Sequence, residues 1–446
     1  MTTNDLSLAL RPPEGVVDIA RTLEHAGFST WCVGGAVRDA LLGHPSLDWD
    51  LATAATPQQV QRLFRRTIPV GIEFGTIGVL DRRGVMHEVT TFRRDVDTDG
   101  RHAVVEFGVS LNDDLARRDL TMNAIAFHPL EHRVHDPFDG RGDLDRRLVR
   151  AVGDARERMR EDRLRALRAI RFAARFAFEI APDTWRAIEE SAPHLGRLSP
   201  ERVKQELQKT MEQVTCPSRA FARWRNAGAF AALVPALASV SDETLLAVDM
   251  ILPPHGAKAE QRRSLRLAML FSELDGAGTA KALRALRFSN AEISWLSALV
   301  ERWDTLHGDV EGMIRDQRVT DATMRMVAAR IGRLRVASFA RMAHARWSSA
   351  RTRGERLPGA YPAPTAHDTR ALYRRLHRAA FHDAIEVADL AVDGDDLRAA
   401  GIAPGPQLGR VLALLLQRVL VSPTLNTHVE LLRLAREFAA LPPTVD

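Results

Sequence analysis

Cysteine, tyrosine and lysine are all scarce in this 446-residue chain. Cys32 and Cys216 are its only cysteines, which excludes a disulfide framework and a four-thiolate zinc site. No long apolar run occurs. The most apolar stretch, Val411–Val421, contains Gln417 and Arg418 and falls well short of the ~20 residues that a bilayer demands. The opening residues, MTTNDLSLALRPPEG, lack the basic-then-apolar order of a signal peptide, so a cytoplasmic protein without a membrane partner is expected. Lysine stands only at 204, 209, 258 and 281, leaving arginine to supply nearly all of the 62 basic side chains. Against 57 acidic residues the formal net charge is +5. The arginine skew has two readings: GC-rich coding, or a grip on phosphate, which the planar guanidinium pairs bidentately. Composition leaves both open. At 45% hydrophobic and 27% charged residues, disordered and fibrous classes are excluded. At roughly 100–200 residues per domain, the length implies two to four domains.

The first ~145 residues differ from the remainder. Strand-like runs fall at Thr30–Val33, Thr76–Leu80, Met86–Phe92 and Val104–Phe107. A helix is predicted over Pro57–Arg66, capped by Thr56 with proline at its first position. From about Gly153 helical periodicity takes over, in Glu161–Phe178, Pro200–Val214, Ser218–Ala227 and later segments. A Pro/Gly/Ser-rich stretch, Ser348–Asp368, reads as a connector between helical modules.

Three constellations carry chemistry. Gly34-Gly35-Ala36-Val37-Arg38-Asp39 follows the apolar run Trp31–Val33; paired glycines between a strand and a helix let backbone N–H groups approach a phosphate, with Arg38 one turn away. The alternative is an ordinary turn. In Leu47-Asp48-Trp49-Asp50-Leu51, residues two apart share a strand face, so Asp48 and Asp50 present paired carboxylates suited to Mg²⁺ that also holds nucleotide phosphates. The alternative is a solvated edge. Glu88, in the strand-like Met86–Thr90, either completes the acidic site or pairs with Arg93 or Arg94.

Gly34–Gly43 followed by Ser46–Thr53 resembles the head of the tRNA nucleotidyltransferase and poly(A) polymerase family, in its bacterial-type class II. The resemblance continues through Arg117–Ala124 (RRDLTMNA), Asp136–Gly140 with Asp143-Leu144, Glu161–Arg165 (EDRLR) and Glu201-Arg202-Val203. Asp393–Leu397, with Gly401, Pro404–Pro406 and Leu408-Gly409, is similar to the tail of CCA-adding members. The resemblance implies an α+β protein. An N-terminal mixed-sheet nucleotidyltransferase head (1–148) would precede an all-helical neck (149–215), body (216–347) and tail (348–446).

It also implies an activity: template-independent addition of CMP, CMP and AMP, from CTP and ATP, to the 3′ end of tRNA. Pyrophosphate would leave in a two-metal, in-line attack of the RNA 3′-hydroxyl on the α-phosphate. Asp48 and Asp50 would hold Mg²⁺, with Glu88 as the third catalytic carboxylate. Gly35 and Arg38 would bind the triphosphate, Arg118 would position the nucleotide, and Arg168 and Arg171 would fall to the phosphates. Asp119 is either a ribose contact, a support for Arg118, or an arginine-clamped cap before Leu120. Asp162, Arg165, Arg168 and Arg171 recur every third residue on one predicted helix. Asp162 and Arg165 would read the base. The carboxylate accepts from the exocyclic amino group that C and A share, and Arg165 donates to the adjacent ring acceptor. G and U would set a carbonyl oxygen against the carboxylate.

The segment between Phe92 and Val104, RRDVDTDGRHA, reads as a mobile loop near the site, which in this family helps the switch from C to A, or as a plain exposed hairpin loop. Some relatives carry a His-Asp phosphohydrolase site; Arg266–Glu273 has no such pair, and His255 is an isolated loop residue. The rival activities are poly(A) polymerase and partial addition of CCA. A non-catalytic RNA-binding helical protein with a relic head is the rival of another class.

Overall fold

Thr30–Val33 (TWCV, strand β1) is buried along its whole length and lies inside a seven-stranded sheet. It follows the amphipathic helix α1 (Glu14–His25) and leads through Gly34 into helix α2 (Gly35–Leu41). Around β1 stand β2 (Asp50–Thr53), β3 (Thr67–Gly71), β4 (Thr76–Leu80) and β5 (Met86–Thr91), with β8 (Ala126–His128) and β9 (Arg133–His135). The strand order is β3-β4-β5-β2-β1-β8-β9. β2 and β5 run parallel and the other neighbours antiparallel, so the sheet is mixed, as expected. Trp31, Val33, Ala52 and Ala126 pack with Phe92, Leu115 and Val152 into the core on one sheet face.

Helix α3 (Pro57–Leu63) begins as its sequence dictates: Thr56 and Gln59 form a reciprocal capping box, with proline at the first turn. It stops three residues before the predicted end, because Phe64 turns extended. Strands β6 (Arg93–Thr98) and β7 (Ala103–Phe107) pair as a separate hairpin, so most of the charged segment expected as a loop is ladder. Its residues 99–102 lie outside the described residues.

The short helix α4 (Leu111–Ala116) packs on the sheet through Leu115, the short helix α5 (Gly140–Asp145) lies against the turn Thr121–Asn123 and β10 (Leu148–Val149), and β10 pairs in parallel with β11 (Glu179–Ile180). The helical part then begins with α6 (Ala155–Glu161), α7 (Leu164–Phe176), α8 (Pro182–Ser191), α9 (Pro200–Gln213), α10 (Pro217–Asn226) and α11 (Ala229–Leu233). The continuous helix predicted over Glu161–Phe178 is divided: Asp162 leaves the helical region (φ −145°, ψ 106°), and its carboxylate accepts from the Leu164 N–H to start α7 anew. A buried ion pair, Arg171–Glu206 at 2.7 Å, joins α7 to α9. Phe221, Trp224 and Phe230 fill the core beyond.

The structure describes residues 10–44, 48–98, 103–252, 256, 258–316, 319–357 and 361–440. They belong to two compact units, Met1–Ala238 and Ser239–Asp446. The second is helical apart from a two-residue ladder, and its longest helix is Asn290–Asp316. The Pro/Gly/Ser-rich stretch 348–368 begins inside the helix Val336–Arg353 and ends inside Ala366–His382, leaving 354–365 as the connection. Val411, Leu415 and Val419 bury one side of the apolar helix Pro406–Val421, while Gln417 and Arg418 face outward. Among the described residues no helix is long and apolar enough to cross a membrane. His255 lies outside them.

Removing the Thr56 cap by Thr56→Ala is expected to cost about 1 kcal/mol, read as a lower urea midpoint of the full chain. An unchanged midpoint would show that the capping box contributes nothing.

Candidate active site

The register of β1 with β2 builds the site. Val33 lies opposite Asp50, so the last residue before the glycine pair stands beside the first residue of β2. Gly34 takes φ 76°, ψ −133°, a backbone region that side chains disfavour. A Cβ there would stand 3.1 Å from Arg118 Nη1, so glycine also lets that guanidinium come close. On the other side of β2, Leu51 pairs with Val89 in parallel register. One step back along both strands, Asp50 and Glu88 therefore share a face.

A cavity of about 410 Å³ opens at this point. Of the residues expected to form the site, Gly35, Arg38, Asp50, Arg118, Asp119, Asp162, Arg165, Arg168 and Arg171 all line it. Asp48 and Glu88 do not. Contrary to expectation, Asp48 is not on the strand: it lies exposed in the run-in to β2, which begins at Asp50, next to the buried Trp49. The acids nonetheless feel one another. Burial pushes the Asp50 carboxyl up to about 7, helped by the charges of Asp48 and Glu88 and opposed by Arg118. Arg94, offered in sequence as a partner for Glu88, pairs with Glu106 across the β6–β7 hairpin, and Arg93 donates to the Phe74 carbonyl.

The cationic wall is held by a continuous network. Arg38 is buried, which lowers its pKa against the opposing pull of Asp39. It donates through Nε to Asp39 (2.8 Å) and through Nη1 to the Asn123 side-chain oxygen (2.5 Å). Asn123 in turn donates to Asp119 (2.9 Å), whose other oxygen takes Arg168 Nε at 2.7 Å. Burial alone would raise Asp119, yet Arg168 and the Asn123 hydrogen bond hold it down at about 2. Asp119 also accepts from its neighbour's Leu120 N–H. Asp119 is thus clamped by Arg168, and it makes no hydrogen-bonded cap on the turn Thr121–Asn123. Arg118 pairs instead with Asp114 at 3.0 Å.

The base-reading pair is present but otherwise engaged. Asp162 closes helix α6 and binds Arg202 at 2.7 Å; it does not ride on α7 with Arg165. Arg165 pairs with Glu161 and donates to the Arg117 carbonyl at 2.8 Å. Arg171 faces the cavity while its guanidinium is held by Glu206 and Gln213.

Sequence reasoning missed Asn123, Arg202, Phe172 and Arg175. Asn123 and Arg202 lie inside the motifs quoted above, where a role for an uncharged amide or one more arginine had no separate signal. Phe172 and Arg175 follow Arg168 at helical spacings of four and seven, which is the signal that could have found them.

Residues 30–150 match the poly A polymerase head domain, and residues 177–240 match the probable RNA and SrmB-binding site of polymerase A. Sheet and match together place the N-terminal part of the chain among poly A polymerase-type head domains. The CCA-adding enzyme of Geobacillus stearothermophilus is 44% identical over 205 residues, 45% of this chain and 50% of its own length. The chain thus spans about half the length of the first Geobacillus relatives it matches. That of Lactiplantibacillus plantarum is 33% identical over 429 residues, 94% of this chain and 95% of its own. The crystal structure of Bacillus stearothermophilus CCA-adding enzyme in complex with CTP superposes with a TM-score of 0.71 at 30% identity, covering 96% of this chain and 98% of that one. The Thermotoga maritima enzyme complexed with tRNA shares the fold, with a TM-score of 0.66 at 19% identity over 98% of both chains. The chain belongs to the family of CCA-adding enzymes.

An aspartate raised to about 7 in the folded state and ordinary in the unfolded one binds extra protons when folded. Its contribution to stability is present below about pH 4 and is lost as pH rises towards 7. Asp50→Asn is expected to flatten that decline and to raise the stability at pH 7, measured by urea unfolding across pH in chelator. Parallel curves for the two proteins would show that the carboxyl is not strained.

Proposed function

We propose that this chain adds C, C and A to the 3′ end of tRNA from CTP and ATP, releasing pyrophosphate. The observation that carries the reading is the cavity that unites Asp50, Asp162 and seven arginines, Arg165 among them. Its walls suit the parts of one nucleoside triphosphate: an excess of guanidinium donors for phosphates, an acceptor and a donor for the base edge.

The donor set fits a divalent cation. Asp50 is raised by burial and by the neighbouring carboxylates, a strain that a cation relieves. Among the described residues no three or more acidic, histidine or cysteine side chains form a ready cage. Mg²⁺ needs none, since it is commonly held by one or two carboxylates together with substrate phosphates. Asp48 and Asp50 would hold it, with Glu88 beside them. When bound, Mg²⁺ would supply Lewis-acid activation of the α-phosphate and of the attacking hydroxyl, in the two-metal, in-line manner.

The chain's own residues do the remainder. Gly34 and Gly35 allow close backbone approach to the triphosphate. Arg38, Arg118, Arg168 and Arg171 line its path and oppose the charge of the pyrophosphate leaving group, while Asp119 sets Arg168. Asp162 accepts only, and a carboxylate already bound by Arg202 keeps lone pairs for the amino group of C or A. The modules proposed above, head 1–148, neck 149–215, body 216–347 and tail 348–446, divide this labour, with the arginine-rich helices of body and tail holding tRNA through phosphates and shape.

Asp48→Ala and Asp50→Ala are each expected to reduce nucleotide transfer by at least about 10²–10³-fold with tRNA binding retained; near-normal turnover would remove either from the metal site. The deciding assay gives tRNA lacking CCA with each NTP separately and together. Long A runs without use of CTP would install poly(A) polymerase in place of CCA addition. In the same assay Asp162→Ala is expected to erode the preference for CTP over UTP by about 10–100-fold. An intact preference would refute the reading of the base by Asp162.

A further inference from the structure

The cavity contains one aromatic side chain that no step above uses. Phe172, only 5% exposed, lies where three guanidinium groups converge. Its ring centre stands 4.7 Å from the Arg38 guanidinium carbon, 5.6 Å from that of Arg168 and 4.4 Å from that of Arg171. Phe176, one turn on, stacks beside it at 6.0 Å with the ring planes 2° apart, and takes Arg38 at 5.0 Å and Arg175 at 4.9 Å. Two rings on one helix thus touch four arginines.

We propose that Phe172, backed by Phe176, is the positioning residue of the triphosphate clamp. A ring face attracts a guanidinium and fixes its plane. It occupies none of the in-plane N–H donors and adds no negative charge. Carboxylates cannot do this: Asp39 holds Arg38 and Arg175, Asp119 holds Arg168 and Glu206 holds Arg171, but each takes up donors and cancels charge. The aromatic pair orders neighbouring cations that repel one another and leaves their edges and their charge for phosphate. A base-blind role follows, because the rings act on the phosphate side and not on Asp162.

This inference rests on the reading of the cavity as a nucleoside triphosphate site. The test is steady-state addition by the full chain to tRNA lacking CCA and to tRNA ending in CC, with CTP and ATP respectively. Phe172→Leu is expected to raise KM for both nucleotides about 10-fold, with kcat changed much less and the preference for CTP over UTP unmoved. Replacing Phe172 by mono-, di- and trifluorophenylalanine keeps ring volume and drains the ring face. KM is expected to climb stepwise along that series while the melting temperature stays level, and this series decides the matter should Phe172→Leu fail to fold. A KM indifferent to fluorination, in a protein that still transfers nucleotides, would overturn the positioning role alone. A wild-type chain that neither binds nor transfers CTP or ATP would overturn the functional reading and this inference with it.

Discussion

Asp119 is the point at which the sheet half of the first unit and its helices become one site. Its carboxylate is buried with two oxygens facing two elements: one accepts from Asn123 and Leu120, the other from Arg168 of α7. Asn123 passes the connection to Arg38, and Asp39 passes it onward to Arg175. A buried carboxylate is tolerable only with such partners. The constraint runs both ways. A shift of α7 would strip Asp119 of Arg168, and a shift of α2 would break the Arg38–Asn123 hydrogen bond and the Asp39–Arg175 ion pair, so the cavity between them is held from both sides.

That network also explains how so many like charges coexist. Seven arginines border the cavity, against the aspartates at 50, 119 and 162. In an apolar interior this excess would be prohibitive. Here Asp39, Asp114 and Glu206, behind the wall, neutralise part of it, and two phenylalanines stabilise more without adding charge. The opposite strain sits at Asp50, where burial and neighbouring acids work against ionisation. A surplus of cations and a cluster of acids, each destabilising alone, face one another across the space that a charged ligand and its metal would fill. Such local departures from stability are where function is expected in a fold.

Much of this was legible in sequence because local rules decided it. The strand before Gly34, the helix start at Thr56 and Pro57, and the strand that bears Glu88 depend on short-range propensity, capping and alternation. Nine of the expected site residues proved to share a cavity because motifs spaced far apart in sequence report on one site. What failed did so for tertiary reasons. Asp162 looked like the first member of a helical row, but its side chain competes for the Leu164 N–H and breaks the helix, a choice that periodicity does not register. That Arg171 is buried against Glu206, thirty-five residues on, is likewise a long-range pairing that local spacing does not register. Phe172 is buried, yet the identity of its neighbours rather than its burial gives it meaning.

The break at Asp162 has a consequence for selection. Because α7 restarts at Leu164, Arg165 and Arg168 lie one turn apart on a single short helix, about 4.5 Å along its axis. One would meet the base edge and the other the phosphates. On the proposed reading, a base that mispaired with Asp162 and Arg165 could not shift to better hydrogen bonds without dragging its phosphates out of line with Arg168 and Asp50. Discrimination would then be expressed in reaction geometry as well as in affinity, since a misplacement of about 1 Å can cost 10²-fold in rate. Rigidity of the wall is the condition for this, and the Asp119–Arg168 contact supplies it.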